Sequence, residues 1–176
     1  MKHLNLVLLL AAFSSLGLHC KKEHDEPKTE LEKLPPITME GKQTFGWLAN
    51  GKAIIGNLYG WYADYENGVF VCQGGDQIGQ LEGNCISFST ANTITGVGKY
   101  YIPVKYIPGV SFFMARVISV PYDYSSDFTH NGLAEINILR FDTVNFYMAG
   151  TFAFTLYSQF GDSLVITDGR FDFKYH

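Results

Sequence analysis

"GTFAFTLYSQFGDSLVITDGRFDFKY" runs from Gly150 to Tyr175. Its first half alternates: Phe152, Phe154 and Leu156 point one way, Thr151, Ala153 and Thr155 the other. Period two is the signature of a strand, whose successive side chains face opposite sides. "QFGDS" reads as a turn and "LVIT" as the start of the next strand. Asp168-Gly169 then reads as a tight turn, because that dipeptide accepts positive φ. In "RFDFKY", Phe171, Phe173 and Tyr175 are expected inside, with Arg170, Asp172 and Lys174 on a wet face.

Working back from this end, the same pattern recurs. Asn50-Gly51, between "TFGWLA" and "KAIIG", is a second hairpin signal. Further strands are expected near 69–72, 85–89, 99–106, 111–120 and 133–141. No long stretch keeps a helical apolar period. Short strands separated by turns predict one all-β domain over 44–176, an antiparallel sandwich or an open barrel. With 14 Phe, 11 Tyr and 2 Trp in the chain, that interior is expected to be aromatic.

The N-terminus is of another kind. Lys2 and His3 precede an apolar run, Leu4 to Leu18, shorter than the ~20 residues a helix needs to cross a bilayer. A basic start and a short apolar run are the layout of a secretory signal. The run meets a cysteine in "GLHCKKEHDE", Gly17 to Glu26. There it resembles a bacterial lipoprotein signal, in which the cysteine takes a diacylglycerol and becomes the new N-terminus. That implies a signal peptide over 1–19 and a lipid on Cys20; ordinary cleavage near Ser14 is the alternative. More than one acyl chain is needed for durable anchoring. From Cys20 to Gln43 the chain is dense in charge and broken by Pro27, Pro35 and Pro36. It is expected to be a flexible tether. The chain holds three cysteines. With Cys20 lipidated, Cys72 and Cys85 are left as a possible disulfide or as two reduced thiols.

Two stretches carry a family resemblance: "LPPIT…GKQTFGWLANGKA", Leu34 to Ala53, and "AGTFAFTLYSQFGDSLVITDGRFDFKY", Ala149 to Tyr175. They resemble the two ends of a family of uncharacterised Bacteroidota lipoproteins, whose linker leads into a TFG…NGK strand and turn and whose chain closes with a GTF.F…ITDGRFD motif. The resemblance implies an outer-membrane lipoprotein with a β-domain and transfers no catalytic residues. The acidic cluster Glu23, Asp25, Glu26 looks like the surface-export signal of such proteins, which implies the cell surface, with a periplasm-facing position as the alternative.

Chemistry is sparse. The formal charge is −4 with no basic patch, so nucleic acid is not an expected partner. There is no HExxH, CxxC or GxSxG, and neither metal nor cofactor is expected. Asp162, Asp168 and Asp172, and Asp123 and Asp127, lack calcium-loop spacing. The richest stretch is "NLYGWYADYENG", Asn57 to Gly68. Tyr59, Trp61, Tyr62 and Tyr65 would suit an exposed platform for a glycan or partner, since aromatics give contact area at low entropic cost. The plainer alternative is that they pack across one end of the core. "VPYDYSSDFTHNG" reads as a loop beside them. The leading expectation is a membrane-anchored, non-catalytic binder of a glycan or envelope component. A structural partner of another envelope protein comes second, and a hydrolase with two facing carboxylates last.

Overall fold

The computed structural model describes residues 28–56, 62–75, 85–90, 93–104, 113–119, 122–125 and 132–175. Cys20 and the expected signal peptide lie outside them. Among the described residues no helix is long and apolar enough to cross a membrane. Among the described residues one four-residue helix, α1 (Glu30–Lys33), precedes eleven strands. These are β1 (Thr44–Ala49), β2 (Lys52–Ile55), β3 (Tyr62–Glu66), β4 (Val69–Gly75), β5 (Cys85–Thr90) and β6 (Gly98–Pro103). β7 (Phe113–Ser119), β8 (Tyr122–Ser125), β9 (Leu133–Asp142), β10 (Tyr147–Ser158) and β11 (Ser163–Lys174) follow.

All pairings are antiparallel, in the order β2-β1-β11-β10-β8-β7-β5-β4-β3. β10 is the branch point. Along one edge it pairs with β9 from Tyr147 to Ala153 and then with β8 at Tyr157 and Ser158. β6 adds to β9 as a side branch. The sheet therefore curls, and β3, β4, β5 and β7 fold back over β9, β10, β11 and β1. Phe88 on β5 meets Phe152 on β10, ring centroids 5.0 Å apart, and Phe70 on β4 meets Phe171 on β11 at 5.2 Å. Neither β5 and β10 nor β4 and β11 are ladder neighbours, so the two contacts cross the core. Phe45, Trp47, Phe154 and Phe173 complete the cluster, all buried. The fold is an open half-barrel, between the sandwich and the barrel that the strand pattern allowed.

The Asn50-Gly51 hairpin is as expected, with φ of +47° and +80° joining Ala49 to Lys52. The Asp168-Gly169 turn is not. β11 runs unbroken from Ser163 to Lys174, and Asp168, at φ +50°, is a bulge residue inside it. From Phe152 to Phe154, β10 advances two residues while β11 goes three, from Gly169 to Ile166; β1 shows the same slip between Gly46 and Leu48. The extra residue resets the phase of the strand. Leu164 and Ile166 point into the core, and so do Phe171 and Phe173, although the two pairs are out of step by strict alternation. Asp accepts the left-handed conformation that this needs. Gly169 follows because the Phe152 ring lies on it: a Cβ there would come within 2.4 Å of Cε2.

Other expectations also change. Residues 62–66, read as turn-rich, form β3, and Asn67-Gly68 makes its hairpin with β4 at φ +51° and +85°. Residues 122–125, read as loop, form β8. Cys72 and Cys85 are not bonded to each other. Cys72 faces Phe88 in the core, whereas Cys85 lies opposite Gly75, three positions along and on the other face. That separation is about 10 Å along the strand at ~3.4 Å per residue, beyond the reach of a disulfide. Burial pushes the Cys72 thiol pKa up, which leaves it an inert core residue.

Gly169→Ala is expected to overpack Phe152 and cost about 1–3 kcal/mol. Gly96→Ala, where a Cβ meets nothing within 4 Å, should stay within about 0.5 kcal/mol. Urea unfolding of the two variants is the check, and equal midpoints would contradict the bulge packing.

Candidate functional site

The segment expected as the far end of the tether, 28–43, is folded onto the domain. Thr29 caps α1: its amide donates to Glu32 Oε2 (2.7 Å) and its hydroxyl accepts from the Glu32 amide (3.3 Å). This reciprocal pair is a capping box. Glu30 then accepts from the amide of Ala53 at 2.8 Å. Ala53 lies opposite Leu48, a position where the strand's N–H points away from β1, so the helix covers the open edge of β2. Leu34 is buried, and the carbonyl of Pro35 accepts from Arg170 Nη1 (3.1 Å).

The segment is held by one carboxylate. Asp172, 1% exposed, accepts from the Thr38 hydroxyl (2.6 Å), the Glu40 amide (3.0 Å), the Gly41 amide (2.7 Å) and the Lys42 amide (3.2 Å). The chain can turn there because Gly41 adopts φ +71° beneath the Tyr147 ring. Arg140 lies over that ring, 4.8 Å from its centre, and donates to the Met39 carbonyl (2.6 Å). Burial alone would raise the Asp172 pKa. The hydrogen bonds from Thr38 and from the amides of residues 40–42 outweigh it and hold the pKa below the usual carboxylate value. Asp172 was expected on a wet face; the N-terminal segment makes that face dry.

Beside this strap is a depression of about 230 Å³ on the outer face of the sheet. Ile37 of the strap forms one side. Thr151 and Ala153 of β10 form the floor, with the Phe152 backbone position between them. Asp168 at the bulge, Arg170 and Glu135 of β9 complete the lining. The charges here are largely committed. Glu135 is bridged by Lys99 Nζ at 2.9 Å. Arg170 donates through Nε to the Asp168 carbonyl (3.2 Å) and through Nη1 to Pro35. Next to Glu135 across the ladder stands Tyr101 of β6, 57% exposed.

The expected aromatic platform is not brought together by the described residues. Tyr59, Trp61 and the side chain of Tyr62 lie outside them; the backbone of Tyr62 opens β3 opposite Gln73. Tyr65 is a packing residue. Its ring meets Phe141 edge-on at 4.9 Å and Tyr175 at 5.9 Å, and its hydroxyl donates to the Ile94 carbonyl (2.8 Å). Among the described residues no group of three His, Cys, Asp or Glu side chains is placed to hold a metal. Asp142 is used by its own turn: it accepts from Val144, from Asn145 twice and from Arg140, led by the Asn145 side chain, and these bonds hold its pKa well below the usual range.

The outer-face residues Tyr101, Glu135 and Arg170 escaped sequence reading. Their signal was only that each alternates with a buried neighbour in a strand. A comparison with protein-family models, with curated proteins and with solved structures matches none of them.

Asp172→Asn keeps the shape of the side chain but turns an accepting oxygen into a donor facing donors. It is expected to cost about 1.5–3 kcal/mol at neutral pH. Because the folded-state pKa is depressed, the native contribution is complete above pH ~4 and is lost as acid titrates the carboxyl through its lower folded value. The gap between the two urea midpoints should therefore narrow as the pH falls. A gap independent of pH would show that the charge carries none of it.

Proposed function

We propose that this protein is a membrane-anchored binding domain, tethered through a lipid on Cys20, that holds a glycan or another envelope component without chemically changing it. The observation that carries the reading is the outer-face depression. It is half open and small, below the ~300–1,000 Å³ of sites that enclose a drug-sized ligand. Its Arg170 is tied to backbone carbonyls and its Glu135 to Lys99. Retention needs contact area and a few positioned polar groups, which this face supplies.

With residues 28–43 packed on the domain, a lipid on Cys20 would lie at most ~30 Å of chain from Lys28. The binding face, which borders the strap, is thus kept close to the membrane.

Two variants test this. Cys20→Ser should move the protein out of the membrane fraction. Ala153→Arg, which fills the depression from its floor, should abolish crosslinking to its envelope component in intact cells while membrane fractionation and thermal stability stay native. Crosslinking that persists in a folded Ala153→Arg protein would remove the depression as the binding face.

A further inference from the structure

The outer-face depression is chemically particular, and its ligand class follows from that. Across three strands, Tyr101, Glu135 and Ala153 stand in one row, joined by the β6–β9 and β9–β10 ladders. Directly opposed residues on a sheet face bring their Cβ atoms to about 4.5–5.5 Å. An exposed ring, a carboxylate and a flat small-residue floor therefore lie side by side. The next row holds Lys99, Asn137, Thr151 and Arg170. Ile37 closes the far side with an apolar wall that is itself half exposed.

The charges of this face balance. Glu135 is paired with Lys99, and Arg170 lies beside Asp168 with two of its donors bound to backbone carbonyls. A charged ligand would gain no net attraction and would have to break existing pairs. A ligand with only apolar faces would leave the carboxylates and Thr151 unsolvated, which is costly. What fits is a neutral, extended molecule that presents one apolar face to the Tyr101 ring at one end and another to Ile37 at the other, with hydroxyls between them for Glu135, Asp168 and Thr151. The carboxylates are pure acceptors and the hydroxyl of Thr151 both donates and accepts, which matches the alternating hydroxyls of a sugar ring.

We infer that the depression lined by Ile37, Glu135 and Asp168, together with the Tyr101 ring beside it, is a subsite for a neutral oligosaccharide, one ring stacked on Tyr101 with a hydroxyl on Glu135 and the next placing hydroxyls on Asp168. This rests on the reading of the depression as the binding face. It adds the ligand class, and it makes Tyr101, which the cavity itself does not include, the anchor of the site.

The test uses the full-length protein in a zwitterionic detergent without a sugar headgroup, applied to an array of neutral and acidic oligosaccharides. Saturable binding to one or more neutral members is expected, and Tyr101→Ala should weaken it about tenfold with unchanged melting, the effect of losing one stacked ring. Glu135→Gln should weaken it further, while acidic oligosaccharides stay unbound. Binding confined to acidic members would overturn the inference, as would no binding at all. Neutral binding that is indifferent to both substitutions would place the saccharide elsewhere and overturn it too. Should Ala153→Arg abolish envelope crosslinking while no saccharide binds, the binding face survives and only the ligand class falls.

Discussion

A buried carboxylate, Asp172, ties the two ends of the domain together. It lies between Phe171 and Phe173, which both point into the aromatic core. One three-residue stretch of β11 thus serves two layers: its rings hold the folded-over sheet, and its acid holds the strap. A carboxylate taken from water is tolerated only where donors replace the lost hydration. Thr38 and the amides of residues 40–42 do so. The site on the outer face depends on this arrangement, because Ile37 is positioned one residue before the clamp begins.

The bulge at Asp168 is the second constraint. Without the extra residue, Leu164 and Ile166 would face the core only if Phe171 and Phe173 faced away. The slip lets both pairs point inward along a single twelve-residue strand. It also turns Asp168 toward the outer depression and brings Gly169 beneath Phe152. A feature needed to fill the core has shaped the opposite surface.

The core was legible because period two survives in any half-buried strand: Phe152, Phe154 and Leu156, and again Phe171 and Phe173, lie where alternation puts them. Asn50-Gly51 was legible because its turn is local. Asp168-Gly169 was misread for the same reason, since the dipeptide signals positive φ and does not say whether the chain then reverses or continues. The clamp was invisible. Residues 38–42 have no apolar period, and their partner is far away in sequence. Cys72 and Cys85 looked like a pair by count alone, and the register that separates them is a property of the β4–β5 ladder. The outer depression has no sequence signature, as its lining comes from single alternate positions on β9, β10 and β11 and from the strap.

The bond between Thr38 and Asp172 spans 134 positions, and β1 takes its place only between β2 and β11. A chain made from its N-terminus therefore presents the strap and the TFGWLA strand with only the local β2 hairpin as partner, long before β11 is made. Contacts this distant are slow to form, because the closure entropy of a long loop is lost before any bond compensates it. Phe45 and Trp47 stay exposed in that interval. Their cover is complete only when β10 and β11 bring Phe152 and Phe173, and a chain halted before Asp172 lacks both the clamp on the strap and most of the strand that pairs with β1.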